Sequence, residues 1–74
     1  MKYTVVIEKA LNNYAAYVPD LPGCVTTGKT IADIERNIRE AIELYLEVTV
    51  EQGEPIPLPT TLATVIEVAL PVPA

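Results

Sequence analysis

Few side chains in this 74-residue sequence could do chemistry. There is no histidine, and the single cysteine is Cys24. Acid–base catalysis near neutral pH usually relies on histidine, or on a carboxylate or lysine with a shifted pKa. No neighbouring base can be assigned to Cys24 from the sequence, so we expect it to pack as a small hydrophobic residue. These residues predict a protein that is not an enzyme and that uses no cofactor.

Carboxylates are the remaining candidates for catalysis. Glu8, Asp20 and Glu67 stand at the end of a strand pattern, in a turn and in a later strand pattern. Carboxylates that hold two divalent ions can cleave phosphodiesters. Such a site needs more ligands than these, aimed at one point. A metal-dependent nuclease is therefore an alternative that the residue inventory does not favour, and no metal site is expected.

The segment Pro19-Asp20-Leu21-Pro22-Gly23 is the most distinctive loop of the sequence. Proline fixes its own φ and favours an extended residue before it, whereas glycine permits positive φ. A strand must therefore end near Val18, reverse and restart near Cys24. The loop is either a recognition loop that presents Asp20 or a tight reversal between two strands. Both interpretations are open at this point.

The composition limits the possible partners. The formal net charge is −5, which repels nucleic-acid phosphates and favours either basic partners or simple solubility. A chain this short lies near the lower limit for a stable single core, and half of its residues are hydrophobic. We therefore expect a homo-oligomer, a dimer or a tetramer. No leader or membrane-spanning segment is visible, so a cytoplasmic protein without membrane contact is expected.

The pattern predicts four strands and one long helix. Alternating residues predict strands over 2–8, 14–18, 23–27 and 64–70. Thr30 and Asp33 form a variant of a capping box at the start of the helix, and Gly53 with Pro55 ends it. Apolar residues at helical spacing form its core stripe: Ile31, Ile34, Ile38, Ala41, Ile42, Tyr45 and Thr49.

The order of these elements predicts an α+β fold in a single domain, residues 1–74. Three antiparallel strands form a meander, one long helix follows, and the fourth strand runs parallel to strand one. A right-handed crossover gives the β-β-β-α-β order 3-2-1-4, the start of a ribonuclease-H-like fold. One helix covers only one face of this sheet. The other face, with Tyr17, is therefore expected to be a contact surface.

Several separated motifs, in the same order, resemble the N-terminal domain of the HicB antitoxin family. They are the opening strand Tyr3-Thr4-Val5-Val6-Ile7-Glu8, the aromatic strand Tyr14-Ala15-Ala16-Tyr17-Val18 with the loop that follows it, Thr27-Gly28 before the helix, Glu40-Ala41-Ile42 within it, and Gly53-Glu54-Pro55-Ile56-Pro57 after it. The resemblance implies a truncated ribonuclease-H-like fold that lacks the catalytic residues.

The resemblance also implies a partner. HicB-like antitoxins bind HicA-like toxins, which are small basic proteins that act on messenger RNA, and cover their active surface. An acidic chain suits such a partner. Many family members continue into a DNA-binding domain; this sequence ends at Ala74 without a basic segment, so operator binding is not expected. The candidate contact residues are Tyr17, Asp20, Glu40, Glu43 and Glu47. The alternative function is an orphan module that assembles with itself or binds a small ligand.

Overall fold

The computed structural model describes residues 1–72 and contains three strands followed by one helix. The elements are β1 (Val6–Lys9), β2 (Tyr14–Tyr17), β3 (Val25–Gly28) and α1 (Ile31–Glu51). The α+β class, the antiparallel meander and the single long helix are confirmed. Residues 73–74, at the end of the predicted single domain, lie outside the described residues.

The three strands form an antiparallel sheet in the order β1-β2-β3. Ile7 pairs with Ala16, and Ala16 pairs with Thr26 across the second interface. At the first turn, the backbone N–H of Ala10 donates to the carbonyl oxygen of Asn13 at 2.8 Å. The strands start and end within a few residues of their predicted bounds.

The loop between β2 and β3 is a hydrogen-bonded reversal. The N–H of Val18 donates to the carbonyl oxygen of Cys24 at 3.1 Å, and the N–H of Cys24 donates to the carbonyl oxygen of Leu21 at 3.0 Å. Gly23 has a φ of 82°, in the left-handed region that glycine adopts without a Cβ clash. The Leu21 side chain is 1 % exposed, so this surface loop is anchored in the core by its central residue.

The helix begins and ends as its sequence predicts. The hydroxyl of Thr30 accepts a hydrogen bond from the N–H of Asp33 at 3.1 Å, which satisfies one of the free donors of the first turn. Gly53 has a φ of 69° and follows the C-cap residue Gln52. Asp33 and Arg36 form the one ion pair within residues 1–72, with 2.9 Å between a carboxylate oxygen and a guanidinium nitrogen. The oppositely charged residues four positions apart along the helix do not form ion pairs: Arg36–Glu40, Glu35–Arg39 and Arg39–Glu43.

The core lies between the helix and one face of the sheet. Its buried members are Ala16, Val18, Leu21, Cys24, Ile34 and Ile38. The helix stripe is therefore confirmed at its centre, whereas Ile31 is substantially exposed. Gly28 brings β3 close to the first turn of the helix: a Cβ at this position would meet the backbone nitrogen of Ile34 at 3.0 Å.

The predicted fourth strand over residues 64–70 is not present, and neither is the order 3-2-1-4. Within residues 1–72 the sheet has three strands, and residues 62–72 belong to no helix or strand and are exposed. The side chains of Ile66 and Val68 are 71 % and 70 % exposed. The β-favouring sequence of this segment does not by itself provide a partner, because a strand requires a neighbour to satisfy its hydrogen bonds.

Candidate partner-binding surface

Asp20 holds Thr60 and Thr61, which directly precede the exposed residues 62–72, against the body of the domain. One carboxylate oxygen accepts hydrogen bonds from the backbone N–H groups of Thr60 and Thr61, at 3.1 and 3.0 Å. The other oxygen accepts from the two hydroxyl groups, at 3.1 Å from Thr60 and 2.8 Å from Thr61. The backbone hydrogen bond from Thr61 and the three bonds that accompany it lower the pKa of Asp20. The loop is therefore a reversal that also binds a distant part of its own chain.

Two further hydrogen bonds hold the same segment against the start of the chain. The hydroxyl of Tyr3 donates to the carbonyl oxygen of Pro57 at 2.6 Å, and the hydroxyl of Thr4 donates to the carbonyl oxygen of Thr61 at 2.7 Å. Residues 57–61 are thus held from two sides, by the first residues of the chain and by Asp20. Thr60 and Thr61 were not identified as functional positions from the sequence. Two adjacent hydroxyl residues directly after the proline-rich segment could have indicated hydrogen bonding at this point.

The predicted contact residues Glu40, Glu43 and Glu47 are all exposed on α1. At 100° per residue, these three and Glu51 lie within an arc of roughly 80° around the helix, and we call this set the acidic helix face. The apolar side chains of Leu44 and Val48 border it and are 61 % and 39 % exposed. Together they form a strip of negative charge beside an exposed apolar edge.

The charge of the molecule is concentrated on this helix. Residues 31–51 contain six acidic and two basic residues, a net charge of −4 out of −5 for the whole chain. Both arginines precede Glu40, and the last helical turn contains no basic residue. Carboxylates near the C-terminus of a helix face the negative end of its dipole and are slightly destabilising there. Glu47 and Glu51 therefore do not stabilise the helix at the positions where they lie.

Tyr17 lies on the other side of the molecule. It precedes the buried Val18 and follows the buried Ala16, so its side chain faces away from the helix, as alternation along a strand requires. Its cross-strand partner is Val25, which is also exposed. The structure therefore does not bring Tyr17 together with the acidic helix face, and Asp20 lies apart from both in its own hydrogen-bonded cluster.

The structure also places the residues that were considered for catalysis. No three acidic, cysteine or histidine side chains converge as a possible metal-ligand set in residues 1–72, so Glu8, Asp20 and Glu67 do not form one. The Cys24 thiol is buried, and burial raises its pKa, which disfavours the reactive thiolate. In the same part of the chain, no helix is both long and apolar enough to cross a lipid bilayer.

The chain matches the family model described as the HicB-like antitoxin of bacterial toxin–antitoxin systems, over residues 3–69. A UPF0150 protein of Archaeoglobus fulgidus is 49% identical over 57 residues, which cover 73% of this chain and 83% of that protein. Another from Helicobacter pylori is 56% identical over 46 residues, covering 62% of this chain and 64% of that protein.

A solved structure is similar in fold as well. A chain of the HicA3 and HicB3 toxin–antitoxin complex superimposes with a TM-score of 0.69 at 36% sequence identity, covering 80% of this chain and 69% of that one. The protein is a small α+β domain with an acidic, partly apolar surface. Since the family model spans most of its length, the chain belongs to the HicB-like antitoxin family.

Proposed function

We propose that this chain is a non-catalytic antitoxin that binds a small, basic HicA-like ribonuclease toxin and covers its active surface. The observation that carries the proposal is the likeness, in both sequence and fold, to a chain of the HicA3 and HicB3 toxin–antitoxin complex. The family match over residues 3–69 supports the same role. The chain acts in the cytoplasm, where messenger RNA is the target of such toxins.

The acidic helix face is the part of the surface that suits a basic partner best. It carries four carboxylates without an intervening basic residue. A concentrated charge of one sign accelerates the encounter with an oppositely charged protein. The bordering side chains of Leu44 and Val48 supply apolar area that such an interface can desolvate. The same negative charge disfavours direct binding of this chain to nucleic acid.

Tyr17 and Asp20 have different roles in this proposal. The Asp20 carboxylate already accepts four hydrogen bonds from its own chain, so it contributes to partner binding through the shape of its loop. Tyr17 and Val25 form an exposed apolar pair on the far side of the sheet. A toxin that contacts the acidic helix face contacts this pair only if it wraps around the edge of the domain.

Affinity capture tests the proposal. The tagged full chain is used to capture proteins from a lysate of the native host at low salt, and the eluate is analysed by mass spectrometry and for ribonuclease activity. The test variant is Glu40→Lys/Glu43→Lys/Glu47→Lys, and the control is Glu8→Lys/Glu35→Lys/Glu54→Lys. All six side chains are exposed, and each triple substitution changes the formal charge by three times +2, from −5 to +1.

We expect the wild type and the control to retain a small basic ribonuclease that the test variant loses. A wild-type eluate without any basic partner would overturn the antitoxin proposal. Equal retention by the two variants would instead reject the acidic helix face as the binding surface.

A further inference from the structure

Residues 62–72, which we call the arm, belong to no helix or strand and are exposed along their whole length. Exposure of the large apolar side chains ranges from 70 % at Val68 to 96 % at Val65. The arm begins directly after Thr61, where the hydrogen bonds from Thr4 and to Asp20 end. The family model extends through residue 69, so most of the arm belongs to the matched domain. An exposed apolar segment of this length is typical of an interaction site.

The sheet has a free edge that is suitable for this partner. Within residues 1–72, β1 pairs with β2 on one side and with no strand on the other. Beside that edge lies an open groove of about 580 Å³ between the start of the chain and the helix. The apolar residues that line it are Met1, Tyr3, Val5, Ile7, Ile38 and Ile42. A strand added next to β1 would place alternate side chains over this groove.

The arm fits the edge in its apolar pattern. Ile66, Val68 and Leu70 are two residues apart, so in a strand they lie on one face and can all enter the groove. The charged residue of the arm, Glu67, then lies on the opposite face, away from the groove. The charged residues that line the groove are two cations and two carboxylates, so its charges cancel and its apolar side chains determine what it accepts.

We propose that the arm of one chain adds as a strand to the free β1 edge of a second copy, and that the second copy returns its arm in the same way. Both halves of the contact are present on every copy, and the arm leaves its own domain at Thr61 instead of folding back onto β1. Two-fold exchange closes the contact, because each β1 edge and each arm is used once.

The size of this contact suits a stable dimer. In the exchange each chain contributes both its 11-residue arm and its own groove, which ten residues line. The total for each chain is therefore at the lower end of the roughly 20–30 residues a side of a standard protein–protein interface. The inference concerns self-association alone and does not rest on toxin binding, so its test uses only the purified full chain.

Sedimentation velocity at tens of micromolar chain tests the proposal. We expect the wild type to sediment at twice the 8.0 kDa mass of one chain. Ile66→Asp/Val68→Asp places two charges on the groove-facing side of the arm and should halve the apparent mass. Val65→Asp/Ala69→Asp adds the same charge on the opposite side and should remain dimeric. All four positions are exposed in the single chain, so circular dichroism should be unchanged in both variants.

Hydrogen–deuterium exchange of the wild type gives an independent readout. We expect amides within residues 64–70 to be protected in the dimer and to lose protection on dilution to monomer. A monomeric wild type would overturn the proposal, whether its arm is protected by folding onto its own β1 or is not protected at all. A dimer that survives Ile66→Asp/Val68→Asp, or that is lost equally in both variants, would also overturn it.

Discussion

The carboxylate of Asp20 accepts hydrogen bonds from both the backbone N–H and the hydroxyl of Thr61, at 3.0 and 2.8 Å. The two residues are 41 positions apart in sequence, and Asp20 precedes the long helix whereas Thr61 follows it. This contact joins the loop between β2 and β3 to the segment that returns from the helix. It therefore determines the point at which the arm leaves the domain.

Replacement of this carboxylate should destabilise the protein in a pH-dependent way. Hydrogen bonds to the ionised form lower the pKa of Asp20 below its usual 3.8. The stabilisation is therefore present above the unfolded-state pKa and is lost as the pH falls through the lower folded-state pKa. We expect Asp20→Asn to unfold at lower urea concentration than the wild type at neutral pH, and the difference to shrink in acid.

The control for this experiment is Glu47→Gln, which removes an exposed carboxylate with no hydrogen bond within residues 1–72. Urea midpoints are measured for the three proteins from neutral pH to below pH 3.8. A constant difference between Asp20→Asn and the wild type at every pH would contradict this role of the ionised carboxylate.

Leu21 should contribute more to stability than its position in a surface loop suggests. Its side chain is 1 % exposed, so Leu21→Ala removes buried methyl groups and leaves a cavity. Buried Leu→Ala substitutions cost about 2–5 kcal/mol. Leu11→Ala is the matched control because Leu11 is 93 % exposed, and it should change stability by less than about 0.5 kcal/mol. Similar urea midpoints for the two variants would refute the anchoring role of Leu21.

Cys24 should be chemically inert in the folded protein. Burial raises the pKa of its thiol and also blocks access to reagents. We expect alkylation by iodoacetamide to be at least about tenfold slower in the native protein than in urea, because the thiolate is the reactive form. Mass spectrometry of quenched samples measures both rates. Equal rates would show that Cys24 is accessible and would reopen the question of its reactivity.

Binding through the acidic helix face should depend strongly on salt. Exposed charges separated by more than about 8 Å are largely screened at physiological ionic strength. We expect the association rate with the basic toxin to fall severalfold between low and physiological salt. Glu40→Lys/Glu43→Lys/Glu47→Lys should remove most of this dependence, as measured by surface plasmon resonance with the captured toxin. A salt dependence equal to that of the wild type would exclude this face.

The sequence predicted those elements whose signals are local. Thr30 and Gly53 define the two ends of the helix, and each acts within one turn of its own position. The loop after β2 was also predicted, because Pro19 and Gly23 restrict the backbone directly. The buried position of Leu21 was not predicted, since an apolar residue between two prolines gives no periodic pattern to identify its face.

The remaining differences arise from partners distant in sequence. Asp20 was predicted as a contact residue, and its four hydrogen bonds come from residues 40 and 41 positions later. The predicted fourth strand has the composition of a strand, but among residues 1–72 no other segment pairs with it. Tyr17 and the helix acids were predicted as contacts of one partner, and the structure places them on different sides of the domain, with Tyr17 on the uncovered face of the sheet as expected. A pairing partner that is distant in sequence is contained neither in a propensity nor in a period.

The measurement that tests the antitoxin role most directly is a titration of the partner's ribonuclease activity with the purified chain. RNA cleavage by the captured basic protein is followed as wild-type chain or the charge-reversed helix variant is added. We predict complete inhibition by the wild type at a stoichiometric ratio and much weaker inhibition by the variant. Cleavage that continues unchanged in excess wild-type chain would contradict the antitoxin role.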